Sequence, residues 1–196
     1  MTSEELTKHV QEVFTRELDA LKNKDLQQQV VRTWVRAMEI SGATDLPREL
    51  PKPGIGLEHV LAVVQIAMAI ADAEAQAHRM TIDRDVVIAG ALLHDVGKLL
   101  ERAPADRHPL AGKLIRHPFS GLQLALEQGV PSEVLHIIAY HSAEGHRVPR
   151  TLECYIVYEA DMLSVDALDR RELGISRGEQ IPYIYVPGLR KKGKNS

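Results

Sequence analysis

A polar doublet at the end of an apolar run constrains this chain more than any other feature. His94 and Asp95 follow directly after the apolar stretch at residues 86–93, and Gly97 and Lys98 come soon after. An imidazole and a carboxylate that border a buried helix are costly to remove from water unless a charged partner compensates them. A divalent cation is the natural partner for these two side chains.

Other candidate ligands lie in or beside apolar stretches elsewhere in the chain. In chain order they are His59, His117, His141 and Asp161. Because these stretches read as helices, the ordered set predicts one polar site assembled inside an all-α bundle. Imidazole nitrogen combined with carboxylate oxygen suits zinc, manganese, iron, cobalt or nickel, whereas magnesium prefers oxygen ligands. The residues therefore indicate a transition-metal site.

At these residues the chain resembles the HD-domain superfamily of metal-dependent phosphohydrolases, over about residues 56–168. The matching segments are Gly-Leu-Glu-His-Val around His59, Leu-Leu-His-Asp-Val-Gly-Lys around the doublet, and Glu-Ala-Asp-Met-Leu around Asp161. The resemblance implies an HD-domain-like helical bundle. It places the core metal ligands at His59, His94, Asp95 and Asp161. Members with a two-metal site carry additional histidines where this chain has His117 and His141.

The resemblance also implies how the ligands share their metal ions. One or two divalent transition-metal ions are expected (Mn, Fe, Co, Ni or Zn), with two favoured. Asp95 is best placed to bridge them, because a carboxylate has one oxygen for each ion. The remaining ligands divide into two sets, His59, His94 and Asp161 for one ion and His117 and His141 for the other. A metal-activated hydroxide is the expected nucleophile.

Two residues are candidates for contact with substrate. Lys98 is expected to bind a phosphate oxygen as a point charge and so to join Asp95 in catalysis. The alternative for Lys98 is an interaction with the carbonyl groups at a helix C-terminus. His146 lies shortly after His141 and is a candidate for the substrate entrance, with a solvated loop as the alternative.

Three functions remain open from the sequence. The leading one is hydrolysis of a phosphate ester or anhydride in a small, nucleotide-like substrate. The second is a di-iron oxygenase that cleaves a carbon–phosphorus or carbon–carbon bond with nearly the same ligands. The third is a non-catalytic nucleotide-binding regulatory module, although an intact ligand set argues against it.

Composition argues against several other classes. The 196 residues suffice for one well-buried core, and a net charge of −3 gives no sign of general nucleic-acid or membrane binding. Cys154 is the only cysteine, so an internal disulfide is ruled out and a packed core thiol is expected. Residues 60–71 form the longest apolar-rich stretch and read as too short for a bilayer. Without a signal peptide at the first residues, we expect a cytoplasmic location.

The apolar pattern divides the chain into three parts. Residues 1–55 comprise two amphipathic helices, at 6–21 and 26–38, and a proline-rich linker at 46–54. The apolar faces of the two helices can pack in the core or form a homodimer interface. Residues 56–170 form the catalytic domain, with a helix at 57–78 that is apolar nearly all round and a loop at 103–118 over the site. Gly97 is expected to let the backbone turn sharply. Residues 171–196 form a tail that alternates weakly at 181–186 and ends in basic residues.

Overall fold

The computed structural model describes residues 1–46 and 56–174. Within these ranges the fold contains nine α-helices, one short 3-10 turn and no β-strand, which confirms the all-α class. The helices are α1 (Ser3–Val13), α2 (Thr15–Asp19), α3 (Lys24–Ser41), α4 (Leu57–His78), α5 (Arg84–Leu93), α6 (Lys98–Arg102), α7 (His117–Glu127), α8 (Ser132–Tyr140) and α9 (Leu152–Leu173); the 3-10 turn is Ala143–Gly145. The predicted linker after residue 46, the alternating segment at 181–186 and the basic cluster near the C-terminus lie outside the described residues.

The N-terminal region forms three helices where the apolar pattern predicts two. α1 begins with a capping box, in which the Thr2 hydroxyl accepts from the backbone of Glu5 and the Glu5 carboxylate accepts from the backbone of Thr2. The helix ends after Val13, and the hydroxyl of Thr15 donates to the carbonyl oxygens of Gln11 and Glu12. Thr7 and Thr33 make the same backward bond inside continuous helices, so this bond alone does not end α1. The break falls at Phe14, whose side chain is fully buried beside Trp34.

These helices bury their apolar stripes inside the chain itself. α3 packs against α1 and against α5, α6 and α7. The ring of Trp34 on α3 lies 5.3 Å from that of Phe14, and its indole Nε1 donates to the carbonyl oxygen of Leu92 at 3.1 Å. That carbonyl belongs to the last turn of α5, where backbone carbonyl groups have no hydrogen-bond donor within the helix. The N-terminal helices therefore share one core with the helix that leads to the doublet.

α4 packs against α5 and α9 through one face, not all round as its composition suggests. Its buried residues end at Ala71, and the turns from Asp72 to the C-terminus are exposed. Alanines fill much of this exposed part, which explains how an apolar composition arises without complete burial. The helix still delivers His59 into the interior from its first turn.

The length argument against a membrane span is wrong for α4. The helix runs for 22 residues and is the one described helix that is long and apolar enough to cross a bilayer, although 28% of the relevant window is buried within the protein. Core helices of globular proteins meet the same length and composition test. α4 also packs on two neighbouring helices and carries a buried histidine, so the test carries little weight.

Gly97 has a different purpose from the one predicted. Its φ of −64° is right-handed, so the turn after the doublet needs no glycine for its conformation. A Cβ at Gly97 would instead lie 2.2 Å from the carbonyl oxygen of His117, 2.6 Å from Oγ of Ser120 and 2.7 Å from the backbone nitrogen of Gly121. The absence of a side chain lets the start of α6 approach the start of α7 closely. That approach brings His117 next to the doublet.

Substitution of Gly97 by Ala should therefore destabilise the protein more than substitution of Gly90 by Ala. At Gly90 the three nearest atoms to the new Cβ all belong to the side chain of Ile137, at 2.4–3.1 Å, whereas at Gly97 two of the three nearest atoms belong to the backbone. Overpacking typically costs about 1–3 kcal/mol, and rigid neighbours place Gly97 at the upper end or beyond. Urea unfolding of both variants measures the difference, and equal losses would contradict this account.

Candidate metal centre

Six polar side chains converge in the interior, each at most 5% exposed: His59, His94, Asp95, His117, His141 and Asp161. They come from separate places in the fold. His59 lies in the first turn of α4 and Asp161 in the middle of α9, while His94 and His141 follow the last residues of α5 and α8. Asp95 follows His94, and His117 is the first residue of α7. The structure brings together every ligand that the sequence predicts.

One group consists of His59, His94 and Asp161, whose candidate ligand atoms all lie within 4.8 Å of one another. Nε2 of His59 is 3.1 Å from Oδ1 of Asp161 and 3.4 Å from Nε2 of His94. The three side chains thus present two ring nitrogens and one carboxylate oxygen to a common point between α4, the end of α5 and α9.

A second group consists of Asp95, His117 and His141, within the same 4.8 Å limit. Nε2 of His117 lies 3.4 Å from Nε2 of His141, and the Oδ1 atom of Asp95 is 3.3 Å from the first and 3.7 Å from the second. This group collects its atoms between the doublet, the start of α7 and the end of α8.

Asp95 joins the two groups through its two oxygens. Oδ2 faces the first group, at 3.4 Å from Nε2 of His94 and 3.7 Å from Nε2 of His59. Oδ1 faces the second group and is buried with no hydrogen-bond partner among the described residues. A buried carboxylate oxygen without a partner is costly, so this atom indicates that a ligand outside the chain completes the site.

The second ring nitrogen of each histidine is held by another group. Nδ1 of His94 donates to the carbonyl oxygen of Ala91 at 2.7 Å, and Nδ1 of His141 donates to that of Ile138 at 3.0 Å. Both acceptors lie three residues earlier, in the last turn of the preceding helix. A proton held at Nδ1 leaves the lone pair on Nε2, and Nε2 is the atom that faces the centre.

The other two histidines use side chains for the same purpose. Nδ1 of His59 is 2.9 Å from Oγ of Ser164, and Nδ1 of His117 is 3.2 Å from Oε1 of Glu101. The same Glu101 oxygen also accepts from the backbone N–H of His117 at 2.7 Å. Sequence reasoning missed both partners, although each has a local signal: Ser164 lies three residues after Asp161, and Glu101 lies three residues after Lys98.

The donor set fits divalent transition-metal ions. Ligands bonded to one ion at about 2.0–2.2 Å lie about 3.0–3.5 Å apart in tetrahedral or octahedral geometry. Five of the six separations within the groups fall in or close to this range, from 3.1 to 3.7 Å; the His94–Asp161 pair lies within 4.8 Å. Imidazole nitrogen with carboxylate oxygen suits transition-metal ions better than Mg²⁺ or Ca²⁺, which prefer oxygen ligands. The two groups therefore fit a binuclear centre bridged by Asp95.

Electrostatics keep both central carboxylates charged. Burial by itself would raise the pKa of Asp95, but the Lys98 ammonium and the His94 imidazole hold that pKa well below its usual range. Burial likewise opposes ionisation of Asp161, yet its hydrogen bond with His59 and the charge of His94 lower its pKa. Two buried carboxylates that stay ionised are suited to bind cations.

The pKa values of His94 and His117 are shifted in opposite directions. Burial would lower the pKa of His94, but the adjacent Asp95 carboxylate, with its hydrogen bond, raises it above 6.5. Burial lowers the pKa of His117 to about 4, and the nearby charges of Lys98 and His141 act in the same direction. At neutral pH His117 therefore presents a free lone pair, whereas the raised pKa of His94 means that protons compete with a cation for its ring at a higher pH than for an ordinary histidine.

Lys98 and His146 occupy different places relative to the centre. Nζ of Lys98 donates to Oδ2 of Asp95 at 2.7 Å, and the lysine side chain is 15% exposed. It thus connects the buried carboxylate with the surface. His146 is exposed, and its ring packs against Tyr158. Cys154 is fully buried and burial raises its pKa to about 11, as expected for a packed thiol.

Comparison with known proteins gives one family match: the family described as HD domain matches residues 56–166, more than half of the chain. Dihydroneopterin 2′,3′-cyclic phosphate phosphodiesterase of Methanocaldococcus jannaschii is 31% identical over 138 residues, which cover 63% of this chain and 55% of that protein. Ribonuclease Y of Acidothermus cellulolyticus is 34% identical over 108 residues, 55% of this chain and 18% of the relative. The 3′-5′ exoribonuclease YhaM of Listeria welshimeri is 26% identical over 128 residues, 57% of this chain and 39% of the relative.

The matched region spans between about a fifth and just over half of these relatives. No solved structure matches the chain significantly. The match to the HD-domain family covers all six converging residues.

Replacement of Glu101 by Ala should selectively weaken the second group. His117 would lose the acceptor for both its Nδ1 and its backbone N–H, and groups of this kind change metal affinity by about 10- to 100-fold. Elemental analysis after dialysis should show about one metal ion per chain where the unmodified protein holds two. Glu101→Gln keeps an oxygen acceptor and should retain the second ion. Two ions held with unchanged affinity by Glu101→Ala would contradict the assignment.

Protons should compete with a cation for the first group at a higher pH than for the second. The pKa of His94 is raised above its ordinary value, so falling pH protonates it and weakens cation binding, while His117, with a pKa of about 4, stays unprotonated. Calorimetric titration of the metal between about pH 5 and 8, in buffers of different ionisation enthalpy, counts the protons released at each pH. Equal proton release by the two ions across this range would be inconsistent with this electrostatic account.

Proposed function

This chain belongs to the HD-domain family, and from that premise we propose that it is a metal-dependent phosphodiesterase acting on a cyclic phosphate ester of a small, nucleotide-like molecule. The observation that carries the proposal is the bridging position of Asp95, with one oxygen toward each group of ligands. Of the relatives, the archaeal phosphodiesterase supports the substrate class by its name, and the two ribonucleases support cleavage of phosphodiester bonds.

The reaction is the hydrolysis of one ester bond. Water adds to phosphorus and one P–O bond breaks, so that a cyclic diester becomes a monoester with a free hydroxyl group. Two divalent ions, when bound, activate the water and neutralise charge on the phosphoryl oxygens. In this chain His59, His94 and Asp161 would hold one ion and His117 and His141 the other, with Asp95 between them.

The protein's own groups prepare the site for an anionic substrate. The hydrogen bonds to Ala91, Ile138, Ser164 and Glu101 fix the orientation of the imidazole rings. Lys98 is the cation nearest the shared carboxylate and is partly exposed, so its ammonium group can reach a phosphate oxygen from the solvent side. Such a fixed positive charge favours the dianionic transition state over the monoanionic diester.

Burial of the centre supports hydrolysis by a confined water. All six ligand side chains are at most 5% exposed, so the charges act in a medium that screens them weakly. The di-iron oxygenase alternative would use the same six residues and differs in its metal and in its need for dioxygen. The curated relatives named above are nucleases and a phosphodiesterase, and this favours hydrolysis.

The proposal is tested by turnover of 2′,3′-cyclic AMP with manganese-loaded protein, followed by chromatography of the nucleoside monophosphate. We expect hydrolysis that is lost on chelation and recovers when metal returns. Asp95→Asn should abolish both activity and retention of two ions, whereas Lys98→Ala should keep both ions and lower kcat by about 10²–10³-fold, as loss of an electrostatic contact does.

Hydrolysis that survives chelation, or full activity in Asp95→Asn, would refute the proposal. If the protein purifies with iron, consumes oxygen and hydrolyses no phosphodiester, the oxygenase alternative replaces it. Glu127→Gln, on the exposed end of α7, serves as a control of similar chemistry away from the centre.

A further inference from the structure

Three aromatic rings form a cluster, called here the aromatic shelf, from Tyr155 and Tyr158 on α9 and His146 after the 3-10 turn. The ring centroid of Tyr158 lies 6.2 Å from that of Tyr155 and 6.3 Å from that of His146. Tyr158 is therefore the inner ring, and the other two flank it. None of these rings contributes to the two ligand groups.

Arg150 attaches the shelf to the metal centre. Its guanidinium lies 4.1 Å from the centroid of Tyr158. The same group donates to the carbonyl oxygens of Tyr140 at 2.8 Å and Ser142 at 2.9 Å, the residues on either side of His141. One side chain thus links the inner ring to the backbone at a ligand of the second group.

The inner ring of the shelf also neighbours the first group along α9. Tyr158 lies three residues, about one helical turn, before Asp161. Tyr155 lies six residues before Asp161 and about 120° around the helix from it, on the exposed side of α9. The shelf therefore extends from the neighbourhood of the centre toward solvent.

The outer rings are accessible although the shelf is fixed from beneath. Tyr155 is 50% exposed and His146 is also exposed, whereas Arg150 covers a face of Tyr158. Exposed aromatic rings on rigid supports beside a phosphate site are suited to stack a planar base, and every base has a face to offer. Aromatic residues that are merely exposed to solvent would not need to be clustered and held by an arginine in this way.

We propose that the aromatic shelf binds the planar heteroaromatic base of the substrate, stacked on the ring of Tyr155 and bordered by the ring of His146, while the phosphate lies at the metal centre. This inference rests on the proposed phosphodiesterase function. It assigns a purine- or pterin-like ring to the substrate and gives His146 the task of base recognition.

The test compares 2′,3′-cyclic AMP with glycerol 1,2-cyclic phosphate, which has the same five-membered cyclic phosphate but no base. For Tyr155→Leu and for His146→Ala we expect KM for cyclic AMP to rise by about 5- to 150-fold, the range given by base–aromatic stacking of roughly 1–3 kcal/mol. The preference for cyclic AMP over the base-free substrate, measured as a ratio of kcat/KM values, should fall by the same factor.

Two further variants separate stacking from a general loss of structure. Tyr155→Phe keeps the ring and should restore the wild-type ratio. Leu126→Ala removes an exposed apolar side chain from α7 and should leave the ratio unchanged. All variants should retain two metal ions per chain. If both outer-ring variants keep the wild-type ratio, or lose activity equally on the two substrates, the inference is overturned.

Failure of the proposed function can be told apart from failure of the shelf. If the protein hydrolyses neither substrate, calorimetry compares binding of AMP and ribose 5-phosphate, which share the phosphate and the sugar. Tighter binding of AMP that disappears in Tyr155→Leu would support the shelf without the hydrolase. Equal binding of the two ligands by the unmodified protein would overturn the shelf as well.

Discussion

The buried carboxylate of Asp95 is the constraint on which the rest of the structure depends. It stays ionised in the interior, surrounded by the Nε2 atoms of four histidines and by one lysine. A buried charge of this kind is tolerated only when enough opposite or polarisable groups surround it. Five segments of the chain must therefore meet at one point, and the packing of α4, α6 and α7 with the ends of α5 and α8 satisfies that requirement.

The histidine ligands are oriented by two devices of different range. At His94 and His141 the device is local, since each ring satisfies a carbonyl group in the last turn of the helix that it follows. At His59 and His117 it is tertiary, since the partners come from other helices, 105 and 16 residues away in sequence. A small shift of a neighbouring helix leaves the rings of His94 and His141 in place, because their partners lie in their own segments. The same shift moves the rings of His59 and His117, because their partners lie on other helices.

The sequence predicts the ligands better than it predicts what supports them. The six ligands could be chosen because each lies in or beside an apolar stretch and because the resemblance to the HD-domain family matches these positions. Ser164 and Glu101 have only their spacing from Asp161 and Lys98 as a local signal, and a serine or glutamate on a helix is common, so tertiary contact is needed to identify them. The purpose of Gly97 was misjudged for the same reason: its close neighbours His117 and Gly121 lie 20 or more residues away, and no local pattern shows them.

Helix boundaries show a similar division. The start of α5 follows from Asp83, whose carboxylate accepts from the backbone of Asp85 and Val86. The break between α1 and α2 falls at the buried residue Phe14, and the exposed end of α4 depends on where the core stops. Apolar periodicity contains neither kind of information.

The position of Trp34 gives the protein an internal spectroscopic reporter. It is the chain's one tryptophan, it is 5% exposed, and its indole hydrogen-bonds two residues before His94. Indole emission depends on the polarity and hydrogen bonding around the ring, so movement at the end of α5 changes it. Events at the buried centre can therefore be followed by intrinsic fluorescence without a label, from a residue on a helix that supplies no ligand.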